Sequence, residues 1–249
     1  MIQLCIIRQI DTLVSSGLRN DMTKEILYYT DLKIDKGLLK LVQEYIKNAG
    51  LPIICVSRKR AVDFGRNIVY WGESGYLSMF RQILIGLQYS KADYIFMCEH
   101  DVLYHPSHFD FIPPKDDVYY YNSNAYKYKL KGRVVVKYDH RWLSQLCANR
   151  KLLIQHYKKK IKIIEQDKER KFYGYEPGAG HSRNVDKYGF EMFISKFPNI
   201  DIRHGRNLSG NGRTKIEHFR DKNTCKNFKE YTLDQIPGWD TELLWNLGY

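Results

Sequence analysis

Long apolar runs are missing from this sequence. None approaches the ~18 residues that a membrane-crossing helix needs, so no transmembrane segment is expected. The opening residues, MIQLCIIRQIDT, hold a short apolar run with no basic segment before it and no small-residue cleavage site after it. They do not read as a secretory leader. Cysteines are few, at 5, 55, 98, 147 and 225; their number is odd and no two have CxxC spacing. That pattern argues against a zinc finger. Cys5, Cys55 and Cys98 lie inside apolar runs, as buried free thiols do, and a reducing compartment follows. The expected location is cytoplasmic, which is the host-cell cytosol for a phage- or virus-encoded chain. No internal repeat is visible, and no linker marks a domain boundary.

Acidic residues are also scarce. Asp and Glu total 28 against 40 Lys and Arg, a formal charge of +12 and a pI near 9.3. Such a balance favours polyanionic partners, whether nucleic acid, an anionic membrane surface or a phosphate-rich substrate. A basic surface that serves only solubility gives the same numbers. What the chain has in quantity is apolar and aromatic material: 43% hydrophobic and 14% aromatic residues, with 20 tyrosines in 249 positions. That suffices for a sizeable core and rules out a wholly disordered chain.

The first half alternates between two periodicities. Glu25–Tyr29 reads as a strand ending at Thr30-Asp31. Gly37–Asn48 has apolar residues at 38, 39, 41, 42, 45 and 46, helical spacing, closed by Gly50. Leu51–Val56 is a second strand, ending at Ser57-Arg58, and a Gly-containing loop follows. Tyr76–Ser90 places Leu77, Phe80, Leu84 and Leu87 on one helical face, and Tyr94–Cys98 is a third strand. This order predicts an α/β fold with a mostly parallel central sheet and right-handed crossovers. In the second half, Asp117–Tyr121 and Arg133–Lys137 read as antiparallel strands, 140–167 as mostly helical, 185–196 as a helix and 199–203 as a short strand. Two Gly-rich stretches, 173–183 and 203–213, flank that last helix and strand. The reading is one unit spanning 1–249, with a ligand-binding half over about 1–112 and a loop-rich antiparallel half over about 113–249.

The third strand stops abruptly on Glu99, His100 and Asp101. Charges at the end of a core strand are costly to desolvate, so either the strand surfaces there or the carboxylates hold a cation. Strand side chains alternate with period two, which predicts Glu99 and Asp101 on one side and His100 on the other. Hard divalent cations in phosphate chemistry are held by one or two carboxylates plus the substrate's own phosphates. Ligands of open α/β sheets bind at the carboxyl ends of the strands, where Thr30-Asp31, Ser57-Arg58 and Glu99-His100-Asp101 all fall. ExD alone is a common spacing; its place beside the other two strand ends gives it weight.

Over residues 25 to 112 this layout resembles the nucleotide-sugar-binding half of GT-A glycosyltransferases, in which an acidic DxD-like motif holds a metal on the diphosphate. YGYEPGAG and, after it, NIDIRHGRNLSGNGR look like the later part of the β-1,4-galactosyltransferase family. The resemblance implies a GT-A-like fold and an inverting transfer from a nucleoside-diphosphate sugar, expected to be a UDP-sugar. It implies Mn²⁺ or Mg²⁺ held by Asp101, Glu99 and His204, and Glu176 as the base that takes the acceptor proton. Thr30, Asp31, Ser57, Arg58, Arg81, Glu99 and Arg206 would contact the nucleotide sugar. The pattern departs at EHD in place of DxD, and at Glu-Pro where the family carries adjacent carboxylates.

Plainer readings stand beside each of these. Arg58, Arg81, Arg206 and Arg213 could pair with diphosphate, or each could be an ordinary surface arginine. His218 competes with His204, and Asp186 and Glu191 compete with Glu176. Glycines 205, 210 and 212 suit a loop closing over donor, or a plain solvent turn. Trp142, Tyr173 and Tyr175 could stack on a sugar or base. Lysines 158–160 and 162 read as a solvated helix face. Two other classes share the composition: a nucleic-acid-binding protein, on the charge and the interleaved Lys and Tyr of 121–133, and a metal-dependent nuclease or nucleotidyltransferase. The first lacks a recognisable binding module; the second wants further clustered acids. For the acceptor, the charge points to a polyanion, with modified DNA and a lipid-linked or lipopolysaccharide glycan as the two expectations.

Overall fold

A computed structural model describes residues 22–167, 173–178, 187–204 and 225–247. The apolar run of the third strand is apolar because it is covered on both faces. That strand, β4 (Tyr94–Glu99), pairs in parallel with β1 (Lys24–Thr30), which pairs in parallel with β2 (Ile53–Arg58) and so with β3 (Arg66–Tyr70). On its other side β4 pairs antiparallel with β9 (Leu146–Asn149), then come β6 (Tyr119–Asn122) and β10 (Phe190–Phe193). The seven-stranded order is β10-β6-β9-β4-β1-β2-β3, so four of its six pairings are parallel. This is the mixed α/β fold with a mostly parallel central sheet.

Helix α1 (Lys36–Lys47) covers one face with Leu38, Val42 and Ile46; Asp35 caps it by accepting from Gly37 N at 2.8 Å. Helices α2 (Tyr76–Tyr89) and α3 (Arg150–Gln166) cover the other face. Gly86 lets α2 approach closely, since a Cβ there would lie 2.2 Å from a Leu27 methyl. At that distance Gln82 reaches the sheet, and its Nε2 donates to Thr30 O at 3.1 Å and Val56 O at 3.0 Å. One buried amide thus ties the carboxyl ends of β1 and β2 together.

A second sheet, order β12-β8-β7-β11-β5, packs on the α1 side. It comprises β5 (Val102–Leu103), β7 (Ala125–Lys129), β8 (Val134–Lys137), β11 (Asn199–Arg203) and β12 (Lys229–Tyr231). No helix of the described residues is long and apolar enough to cross a membrane. Cys55, Cys98 and Cys147 are buried thiols.

The structure differs from the sequence reading in four places. The Gly-containing loop after β2 holds β3. The 140–167 region begins with strand β9 before α3 starts. Residues 117–121 and 133–137 do not pair: β6 and β8 lie in different sheets. Residues 190–193 form β10 rather than part of a helix. There Phe193 faces inward while Phe190, Met192 and Ile194 face out, and parallel pairing to β6 overrides local propensity.

His108, buried among Phe96, Phe109 and Phe193, bears on acid stability. Asn122 Oδ1 accepts from Asn124 N and Ser195 N, so its Nδ2 faces His108 Nδ1 at 3.1 Å. Burial pushes this imidazole down to about 3. The unfolded chain therefore takes up a proton below about pH 6.5 that the folded chain refuses. Stability is intact above that pH and falls as pH drops from 6.5 toward 3, by up to about 1.4 kcal/mol per pH unit for this group. Urea midpoints at pH 7 and 5 check this: His108→Gln should flatten the acid dependence, and an unchanged slope would rule His108 out as its source.

Candidate functional site

The carboxyl ends of β1, β2 and β4 open onto one cavity of about 150 Å³. Thr30 and Asp31 enter it from β1, Arg58 from β2, and Glu99, His100 and Asp101 from the end of β4. Ser74, Gly75 and Ser78 border it at the start of α2, a helix whose N-cap has no side-chain hydrogen bond. The second sheet supplies Lys127, Asp201 and Arg203, and Trp142, Ser144, Tyr175 and Glu176 complete the wall.

Strand alternation stops at Glu99. His100 and Asp101 form a turn between β4 and β5, so His100 does not point away from its neighbours. One ligand atom each from His100, Asp101 and His204 lies within 4.8 Å of the others. His204 Nε2 is 3.9 Å from Asp101 Oδ2, and the imidazole rings are 6.4 Å apart. His204 arrives from β11, where Ile202 N donates to Asp101 O at 2.7 Å. Thr30 Oγ1, which accepts from Leu32 N at 2.9 Å, is 2.6 Å from His100 Nδ1. If Nδ1–H donates to Thr30, Nε2 is left as a free base, the arrangement that metal-binding imidazoles use.

The donor set fits a divalent cation. Two imidazoles with one carboxylate suit Mn²⁺ better than Mg²⁺, which prefers oxygen ligands throughout. Burial holds His204 below the usual imidazole range, against the pull of Asp101, so it is neutral and able to ligate at neutral pH.

Glu99 stands apart from this trio. Tyr29 OH donates to its Oε1 at 2.5 Å, and Tyr104 OH accepts from its backbone N at 3.0 Å. Burial, with Asp101 nearby, pushes its carboxyl up to about 8. A carboxyl so short of water retains its proton until positive charge arrives.

Across the cavity, Lys127 pairs with Asp201, its parallel register partner, and Arg203 Nε lies 3.3 Å from the same carboxylate. Burial pulls Lys127 down to about 8, while Asp201 opposes the shift. Lys127 Nζ also lies 4.3 Å from the centre of the Trp142 ring. Two buried N–H groups on cavity residues, Arg58 Nε and Trp142 Nε1, have no hydrogen-bond partner among the described residues. Orphaned donors of this kind are rare without a ligand or water to accept from them.

The remaining expected residues are distributed as follows. Thr30, Asp31, Arg58, Glu99, Asp101 and Glu176 line the cavity, and His204 adjoins it through Asp101. Ser57 does not; its hydroxyl donates to Arg60 O at 2.6 Å and fastens the loop after β2. Arg81 is not brought there either, because it pairs with Glu165 of α3 at 2.7 Å on the surface. Arg206, Arg213, His218, Asp186 and the stretch 205–213 lie outside the described residues. Glu191, on β10, pairs with Lys115. Sequence reasoning missed Lys127, Asp201 and Arg203 as cavity residues. The i, i+2 pair of charges within the apolar NIDIR strand was the available signal.

Two solved structures are similar in outline. One is a glycosyltransferase involved in the glycosylation of the major capsid of PBCV-1: 12% identity, TM-score 0.43, covering 69% of this chain and 82% of its own. The other is the apo-form glycosyltransferase GlyE of Streptococcus pneumoniae TIGR4: 10% identity, TM-score 0.37, covering 61% of this chain and 41% of its own. No protein-family model and no curated protein matches. The site is therefore read on its own geometry.

If the trio holds a metal, Mn²⁺ should raise the melting temperature more than Mg²⁺ does. Asp101→Asn should abolish that rise. Thr30→Val should weaken Mn²⁺ binding about 10–100-fold, the usual loss on removing a partner of a metal-bound histidine, and Thr30→Ser should not. Equal Mn²⁺ responses in wild type and Asp101→Asn would dismiss the site.

Proposed function

We propose that this protein is a metal-dependent glycosyltransferase that moves a sugar from a nucleoside-diphosphate sugar to a hydroxyl acceptor. One observation carries the reading: the His100–Asp101–His204 cluster opens onto a cavity that also holds cationic and unpartnered N–H groups and, at its edge, a carboxylate. Arg58 contributes a cation, and the Lys127–Asp201–Arg203 group carries one net positive charge. With the uncapped start of α2, these features are complementary to a diphosphate. Residues Thr30, Asp31 and Arg58 would orient the nucleotide. Asp101, His100 and His204 would hold Mn²⁺, with Glu99 beside them; the bound cation acts as a Lewis acid that offsets charge on the leaving diphosphate.

Glu176 would accept the proton of the acceptor hydroxyl. The acceptor oxygen then bonds to the anomeric carbon as its bond to the phosphate oxygen breaks, and the electron pair leaves with the nucleoside diphosphate. A single displacement of this kind inverts the anomeric centre. The nuclease reading has less support: two-metal chemistry wants several acids at the cation cluster, which holds one, Asp101, while Asp201 is paired with Lys127.

For the acceptor, the net charge of +12 supports a polyanion. Helix α3 adds to this with Lys158, Lys159 and Lys162 exposed on its outer side. A hydroxylated base in DNA and a lipid-linked glycan are the two acceptors to compare.

The test is release of nucleoside diphosphate from a panel of nucleotide sugars with Mn²⁺ or EDTA, with each acceptor at two salt concentrations. Glu176→Gln should lower transfer about 10²–10⁴-fold while UDP binding measured by calorimetry is retained. Equal UDP affinity with and without EDTA, together with no release from any sugar, would end the proposal.

A further inference from the structure

Glu176 sits on a short stretch, 173–178, whose backbone is held from beneath by three elements. Tyr76, in the first turn of α2, donates its hydroxyl to Gly174 O at 2.7 Å and accepts from Tyr173 N at 3.2 Å. Lys160 of α3 donates Nζ to Tyr175 O at 3.1 Å, and Tyr121 of β6 donates its hydroxyl to Pro177 O at 2.7 Å. The carbonyls on either side of Glu176 are thus both engaged. Gly174 and Gly178, with φ of 69° and 101°, take left-handed backbone conformations on either side of Glu176.

Lys160 is the unexpected member. Its neighbours Lys158, Lys159 and Lys162 are exposed, whereas Lys160 is 1% exposed, with its ammonium 4.6 Å from the centre of the Phe80 ring. Taking an ammonium out of water costs several kcal/mol unless it is well paired. A neutral donor, such as the two tyrosines beside it, would satisfy a carbonyl without taking an ammonium out of water. A charged donor polarises the carbonyl it bonds more strongly than a neutral one, and here that carbonyl belongs to the residue adjoining the carboxylate.

We propose that Lys160 is a positioning residue that fixes Tyr175 and so holds the Glu176 carboxylate at the cavity. This rests on the reading of Glu176 as the acceptor base. Tyr76 joins the stretch to the start of α2, beside the Ser74–Gly75 border of the cavity, whereas Lys160 reaches it from α3 at Tyr175, the residue before the carboxylate. Its loss should therefore slow turnover without weakening nucleotide binding.

The experiment compares wild type, Lys160→Met, Lys160→Arg and Glu176→Gln. Three quantities are measured: turnover of the nucleotide sugar that wild type consumes, at saturating donor; the Kd for UDP with Mn²⁺; and deuterium uptake across 173–178 and across α3. Lys160→Met should lower turnover about 10²-fold, the scale of a misplacement near 1 Å. Its UDP Kd should stay within about twofold of wild type, and uptake should rise over 173–178 but not over α3. Lys160→Arg should restore part of the turnover, because it keeps the charge and the donor. Wild-type turnover in Lys160→Met would overturn the proposal. So would parallel loss of turnover and UDP binding with rising uptake in α3, which is the mark of a merely structural lysine. Full turnover in Glu176→Gln would instead remove the base reading. If wild type consumes no nucleotide sugar, unchanged uptake over 173–178 in Lys160→Met still refutes the anchoring role, and increased uptake confined to that stretch supports it.

Discussion

The site depends on the register between β7 and β11, and a buried ion pair enforces that register. Lys127 and Asp201 are direct cross-strand partners, both almost without solvent contact. A slip of one residue would turn each to the opposite face of the sheet and leave two buried charges unmatched. Breaking such a pair from one side costs about 3–5 kcal/mol. Because Asp201 is fixed, Arg203 faces the cavity and His204 leaves the strand beside Asp101. The imidazole from the second sheet and the carboxylate from the first meet because the backbone between them is also bonded, Ile202 N to Asp101 O.

The opposite wall is set by closeness rather than charge. A glycine in α2 brings the helix down onto Leu27 and Val56, and the buried Gln82 then bridges the carbonyls of Thr30 and Val56 near the ends of β1 and β2. The cavity thus lies between a wall fixed by ion pairing and one fixed by packing. Glu99 lies where burial leaves little water to stabilise a charge, with the Asp101 carboxylate nearby. Pushing Glu99 up to about 8 is the visible result.

Much of this was legible in the sequence and some was not, for physical reasons. Strands β1, β2, β4 and β11 and helices α1 and α2 were readable because each is bounded by turn or charged residues and has one clear period. The carboxyl-edge logic brought Thr30, Asp31, Arg58, Glu99 and Asp101 to one place, and all five line the cavity. The side of His100 was misjudged because alternation was carried past the last residue of the strand into a turn. Strands β3 and β9 were hidden because four or five half-apolar residues give too short a pattern to separate from loop. Lys160 was read as one more solvated lysine, since nothing local distinguishes it from Lys158 and Lys159; only the packing of α3 against Phe80 and Tyr175 does.

Strand β10 is the margin of the seven-stranded sheet among the described residues; it shows solvent Phe190 and Met192, and Ile194 just beyond its end continues the alternation. Arg141 shields Phe190 from 4.0 Å, but Ile194 is 77% exposed. A sheet margin with apolar teeth invites self-pairing. What keeps copies apart at a distance is their shared charge of +12, and that repulsion reaches only about 10 Å at 0.1 M salt and about 3 Å at 1 M. The colloidal behaviour of the protein is thereby tied to ionic strength: concentrated salt screens the mutual repulsion and leaves the apolar margin to govern how molecules meet.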